Sequence, residues 1–467
     1  MNNLFIAIVH LLLLIIKITC NKTSLILQFK AENPSIKLTP DNYFELKFTN
    51  EIKTYFKIGT HLQALPCYLS ISTNSFYISG SDSNLTKGQQ KYEEYKSLKY
   101  QNISDKIIYD FLYVYGTPSS DQIYLNNNLT LELKFLLAKT RFSTNELTHS
   151  CILGLGYEGI IYDDYNKDNY IKGFDSFITQ MKNNKIIEEK IFFININKEN
   201  DNGEIIFGAH PHEFNKIYCE LCTEDDYIEM ENTYINDMEI IWSTKGYIYV
   251  GEEMIFDYLS SIDFDLNQGF IIGSFIYKDY IEKNFFNNRI LNNECFKKEI
   301  NVEKNILEGF YCKKNTDITK FENLKIFIDK IKYKIEFNYN DLFTEFNGFL
   351  FFNVLFTQKK DTFNNYFILG KPFFRKYPIV FNIDGRIEKI GFYHNIFVQN
   401  KKREKEEEAI NNLGNFNKIS KLNMILIIIG ICIICLLISI SYKYLRKPKS
   451  QKVNELIEFF DYSSVQK

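Results

Sequence analysis

The sequence predicts an all-β body followed by one membrane-spanning helix, and three observations carry that expectation. Short apolar stretches alternate with a two-residue period and are bounded by Asn, Asp, Gly or Ser, the pattern of half-buried strands. Aromatic residues make up 16% of the 467 and prolines number only 8, which suits a strand-rich globular body rather than a disordered or mucin-like stalk. Residues 424–441 are an uncharged run rich in Ile and Leu, long enough for one transmembrane helix. A formal net charge of −3 gives no basic field, so nucleic acid is not an expected partner.

The elements follow in order. Residues 1–20 read as a secretory leader, because 4–16 are almost wholly apolar, too short to span a bilayer, and Cys20-Asn21 offers a cleavage point. In the body at 21–398, Ser24-Leu25-Ile26-Leu27-Gln28-Phe29 and Tyr43-Phe44-Glu45-Leu46-Lys47-Phe48 read as strands. Further strands are expected over 111–115, 129–136, 204–207, 246–250 and 325–328. A helix is expected over 175–182, with Phe177, Ile178 and Met181 on one face. The mixed charge run at 401–408 reads as a solvated stalk within 399–422. The span at 423–442 precedes Lys443, Arg446, Lys447, Lys449 and Lys452, which places the 443–467 tail in the cytoplasm. That tail holds Tyr462-Ser463-Ser464-Val465, the shape of a tyrosine-based sorting signal. The expectation is a single-pass type I membrane protein of the secretory pathway or cell surface.

Outside the leader and the span, the cysteines are Cys67, Cys151, Cys219, Cys222, Cys295 and Cys312. An even number in an oxidising compartment predicts disulfides. Cys219 and Cys222 would close a tight loop. Their rival reading is a zinc knuckle, for which His210 and His212 are the only nearby further ligands. No other metal set and no phosphate-cradling loop stands out, and no cofactor is expected. Sequons at Asn21, Asn84, Asn102 and Asn128 mark candidate glycosylation sites.

Two blocks carry the chemistry. The first runs Tyr55-Phe56-Lys57-Ile58-Gly59-Thr60 and then Leu69-Ser70-Ile71-Ser72-Thr73-Asn74-Ser75. The second runs Ile262-Asp263-Phe264-Asp265-Leu266-Asn267-Gln268-Gly269, then Phe270-Ile271-Ile272-Gly273. Each is an apolar strand entering a polar turn. Between and after them come Tyr115-Gly116-Thr117-Pro118, Ile152-Leu153-Gly154-Leu155-Gly156-Tyr157, Ile191-Phe192-Phe193-Ile194 and Gly203-Glu204-Ile205-Ile206-Phe207-Gly208. Phe367-Ile368-Leu369-Gly370-Lys371-Pro372-Phe373 and Lys389-Ile390-Gly391-Phe392 close the series.

In this order the blocks resemble the pepsin-like aspartic endopeptidases over about 45–395. The resemblance implies a two-lobed β-barrel fold with a few short helices, an N-lobe over about 40–208 and a C-lobe over about 209–398. It implies a second-lobe bridge Cys295–Cys312, which with Cys219–Cys222 leaves Cys67–Cys151. It makes Tyr115 the tyrosine of a flap hairpin closing over bound peptide. It aligns Ser72-Thr73-Asn74 and Asp265-Leu266-Asn267 with the family's two Asp-Thr-Gly triplets. Asn74 and Asn267 then replace glycines, as residues that tolerate a left-handed backbone.

Family chemistry needs two carboxyl groups that share one proton around a water. On this alignment Ser72 replaces one, Asp265 is the remaining carboxylate, and Leu266 lacks the hydroxyl that Thr73 keeps. The expected protein is therefore a membrane-anchored aspartic peptidase homologue with impaired or absent catalysis, binding peptides or proteins between its lobes. The alternatives are an active endopeptidase with an atypical site and a structural or adhesive ectodomain. A Ser/His/Asp triad is not indicated, because His61, His149 and His394 are scattered.

Overall fold

The computed structural model describes residues 24–31, 37–48, 50–74, 76–105, 108–109, 114–126, 129–141, 146–156, 175–197, 200–214, 217–233, 242–302, 305–357, 366–385 and 387–394. The chain divides after His394 into two units, and every described residue belongs to the first. The leader, the sequons Asn21 and Asn128, the stalk, the apolar span and the tail lie outside the described residues. Among the described residues no helix is long and apolar enough to cross a membrane.

Strands dominate, joined into a 14-stranded and a 12-stranded sheet. The first strand, Leu25–Ala31, shows why: Leu25, Leu27 and Phe29 are buried while Ile26, Gln28 and Lys30 face out. It pairs antiparallel with Gly203–Phe207. From there the order runs through Ile191–Ile196, Val380–Asn382, Lys389–Tyr393 and Tyr227–Glu231, so strands from both halves of the chain share one sheet. Phe192 stacks on Phe381 at 4.9 Å, and Phe381 meets the buried Trp242 at 4.8 Å. These rings fasten the shared sheet to the second lobe.

Each lobe repeats one strand pattern. In the first, Gln63–Ser70 lies parallel to Cys151–Gly154, which pairs antiparallel with Phe76–Ser79, itself parallel to Leu129–Arg141. In the second, Ser260–Phe264 lies parallel to Tyr366–Leu369, which pairs antiparallel with Ile271–Gly273, itself parallel to Val354–Thr357. A mostly β body with β-barrel character and few short helices is the outcome, consistent with the expected pepsin-like fold. The helix expected over 175–182 forms as Phe177–Asn183, capped by the Ser176 side chain accepting from the Thr179 amide.

One expected strand is a helix. Tyr43–Phe48 follows the turn Pro40–Asn42, where the Thr39 amide donates to the Asn42 side chain at 2.7 Å. Six residues are too few to separate a period of two from one of 3.6. Tertiary contacts decide: Tyr43 stacks on Phe351 at 3.9 Å, and Phe44 lies 5.6 Å from Phe270. Gly269 permits this approach, since a Cβ there would sit 2.1 Å from the Lys47 carbonyl oxygen.

The three disulfides are Cys67–Cys151, Cys219–Cys222 and Cys295–Cys312. The tight-loop pairing, not the zinc reading, accounts for Cys219 and Cys222. By loop length alone, the 84- and 17-residue separations are worth roughly 5 and 3 kcal/mol, and the 3-residue one about 2. Asn84 and Asn102 are exposed.

Inside the first lobe, the fully buried Asp121 accepts from the Tyr92 hydroxyl, from Ser97 Oγ at 3.0 Å and from the Gln122 amide at 2.7 Å. Those bonds tie residues 92–97 to the long strand Val114–Asn126. Asp121→Ala leaves three donors without their acceptor and is expected to cost on the order of 3 kcal/mol. Urea unfolding should show a lower midpoint at unchanged slope; a loss under about 0.5 kcal/mol would remove this tie from the account.

Candidate active site at the paired loops

The strand register fixes which loop residues correspond. Leu69 pairs with Leu153 and Ser70 with Gly154. Phe264 pairs with Leu369, and the Asp265 amide donates to the Leu369 carbonyl at 3.2 Å. With Leu153-Gly154 matched to Leu369-Gly370, Ser70 is the counterpart of Asp265, Ile71 of Leu266 and Ser72 of Asn267. The register thus moves the first-lobe position from Ser72 to Ser70. The physical reason is that the parallel ladder continues through Ser70 before the chain turns. Ser70 is 4% exposed while Ser72 is exposed. Their hydroxyls are 3.0 Å apart.

Both loops are pinned. In the first, Leu155 donates its amide to Ser70 O at 2.7 Å, and Gly156 donates to Thr73 O at 2.6 Å. In the second, Asp265 Oδ1 accepts from the Asn267 amide at 2.9 Å and Oδ2 from Gln268 Nε2 at 3.2 Å. The loops meet across the lobes, where Asn267 Nδ2 donates to the Leu69 carbonyl at 2.8 Å. Ile71 and Leu266 are both fully buried beside this bond. Thr73 is buried and Asn74 half-buried. Neither Asn74 nor Asn267 has the positive φ expected of a glycine substitute. Asn267 serves through its side-chain amide, and the close backbone approaches fall at Gly269 and Gly370, where a Cβ would meet carbonyl oxygens at 2.1 and 2.3 Å.

Ile108 pairs with Gly116 and Tyr109 with Tyr115, and residues 110–113 lie outside the described residues. Tyr115 sits within the strand Val114–Asn126, also paired with Thr140.

Burial pushes the Asp265 carboxyl above its ordinary value, against the Asn267 and Gln268 hydrogen bonds and the Lys371 charge. Among the described residues, no second carboxylate is one of the groups that shift it. Lys371, 1% exposed, donates its amide to Gln268 O at 2.8 Å and its ammonium to Asn50 O. Burial pushes this ammonium down to about 8, with Arg375 and Lys47 adding to the fall and Asp201 and Asp265 opposing it. Asp201 is buried, which would raise its carboxyl, yet Arg375, Lys47 and Lys371 hold it below the ordinary value. Arg375 Nε reaches Asp201 at 2.8 Å and Lys47 Nζ at 3.5 Å. Burial and the Asp265 and Glu51 charges keep the Tyr68 phenol well above its usual range.

Sequence reasoning missed Ser70, Lys371 and the Asp201 cluster. A signal for Ser70 was available: Ser70-Ile71-Ser72 and Asp265-Leu266-Asn267 both read polar-apolar-polar.

Residues 54–245 match the family model of eukaryotic aspartyl protease. The matched stretch takes in the first loop and the strands that enter the shared sheet, and is consistent with a pepsin-like aspartic peptidase family. The second loop, at Asp265, lies beyond it and is tied to the first by the repeated strand pattern. No curated protein matches the chain.

The raised Asp265 carboxyl means that the folded state holds this proton more tightly than the unfolded chain does. The resulting stabilisation is complete below the unfolded value and is lost as pH rises through the folded one. Asp265→Asn retains an acceptor for the Asn267 amide, and Gln268 can turn its amide to accept in place of donating. The variant should be more stable than wild type at about pH 7, with the advantage shrinking as the buffer is acidified. Paired urea titrations check this, and a difference independent of pH would contradict it.

Proposed function

We propose that this protein is a membrane-anchored homologue of the pepsin-like aspartic peptidases that does not perform two-carboxylate hydrolysis and holds peptide or protein segments in the cleft between its lobes. The observation that carries the reading is the serine at position 70, where the register matches Asp265 in the other lobe. Hydrolysis on this scaffold requires one ionised carboxylate to take a proton from water and one protonated carboxyl to polarise the scissile carbonyl. A serine hydroxyl orients water but does not accept its proton near neutrality. General acid–base assistance, worth roughly 10²–10⁴ in rate, is then missing on one side.

What remains suits binding. The loops keep their backbone anchors, and Ile71 and Leu266, both buried, provide no hydroxyl pair between them. The apolar run at 424–441 and the basic cluster after it support the anchor, and the leader supports entry into the secretory pathway.

A second reading, an endopeptidase with an atypical site built around Asp265, is favoured by the family match itself. One experiment separates the two. The full chain in detergent is incubated with a diverse peptide library from acidic to neutral pH, beside Asp265→Ala. The proposal expects no cleavage, together with saturable binding of a statine-type peptide inhibitor. Cleavage that disappears in Asp265→Ala would establish the second reading.

A further inference from the structure

The three disulfides occupy unlike surroundings. Cys67, Cys151, Cys295 and Cys312 are all 0% exposed. Cys219 is half-buried and Cys222 is 7% exposed, and only two residues separate them. Their bridge lies on the connection that leaves Gly203–Phe207 and re-enters the shared sheet at Tyr227–Glu231. On one side of the bridge this connection is anchored by rings, with Phe214 and Tyr218 at 5.9 and 5.4 Å from Phe193. On the other side, Thr223 Oγ1 donates to Asp226 Oδ2 at 2.6 Å, and the Tyr227 amide then donates to Glu224 O at 3.1 Å. Neither anchor includes a cysteine, so opening the small ring leaves the sheet and both anchors in place.

We propose that Cys219–Cys222 is an exchangeable dithiol–disulfide site on the connection between the lobes, open to thiols in solution, while the other two bridges are inert. A thiolate attacks Cys219 Sγ, the Sγ–Sγ bond breaks, and Cys222 leaves as a thiolate that takes up a proton. A second thiol attacks the mixed disulfide, releasing Cys219 as a thiol. The balance is one protein disulfide and two small thiols giving two protein thiols and one small-molecule disulfide. Glu220, Glu224 and Asp225 are exposed around the ring, so a cationic thiol approaches more readily than an anionic one.

The test uses the full chain under native conditions with graded cysteamine, quenched with iodoacetamide and mapped by peptide mass spectrometry. Cys219 and Cys222 should be alkylated at roughly tenfold lower cysteamine than Cys67, Cys151, Cys295 and Cys312, with the near-ultraviolet spectrum unchanged. Simultaneous labelling of all six, or protection of Cys219 and Cys222 until denaturant is added, would overturn the proposal. A paired Cys219→Ser, Cys222→Ser chain should keep the wild-type spectrum and the protection of the other four cysteines. Loss of that protection would also count against it.

Discussion

The hydrogen bond from the Asn267 side chain to the Leu69 carbonyl is where the two lobes of this fold touch at their most consequential point. Each lobe brings a parallel strand to a Leu-Gly pair and turns it into a loop, and this bond holds the two loops face to face. Ile71 and Leu266 are both fully buried and carry no hydroxyl for polar cross-bracing. Once the loops are held in this way, the residues just ahead, Ser70 and Asp265, are fixed as counterparts. Everything said of catalysis follows from their difference in chemistry.

Electrostatics reinforce the asymmetry. Asp265 accepts from Asn267 and Gln268 and feels the buried Lys371, and among the described residues no carboxylate acts on it. Lys371 connects this loop to a second buried charge group, in which Asp201 gathers Arg375 and Lys47 from opposite parts of the chain. A buried cation near Asp265 compensates its charge. It offers no route to a shared proton. The cluster also joins the helix Tyr43–Phe48 and the segment Lys371–Phe374 to the turn at 201, so the same charges that tune the loop help to seat the lobes.

Much of this was legible in the sequence. Alternating patterns such as Leu25-Ile26-Leu27 marked strands because one face is buried, and the ordered Gly-containing blocks marked the fold. All three cysteine pairings form as expected. Three readings were not legible, each for a physical reason. Tyr43–Phe48 is too short for its period to decide between helix and strand, and contacts with Phe270 and Phe351 from far along the chain decide it. The strand expected to end at Tyr115 runs on to Asn126, because pairing with Leu129–Arg141 carries it through Gly116 and Pro118. Ser72 was matched to Asp265 by setting Ser72-Thr73-Asn74 against the Asp-Thr-Gly triplet. The correspondence is set instead by ladder partners more than eighty residues away from Ser70, at Gly154, and more than a hundred from Asp265, at Leu369, whose carbonyl accepts from the Asp265 amide.

The correspondence of Ser70 with Asp265 is tested most directly by installing a carboxylate at each serine in turn. In Ser70→Asp, a carbon-NMR titration of the Asp265 carboxyl should show a coupled pair, with its upper transition above that of wild type because two close carboxylates do not ionise together. In Ser72→Asp, the Asp265 transition should stay near its wild-type position. Coupling in Ser72→Asp and none in Ser70→Asp would contradict the account.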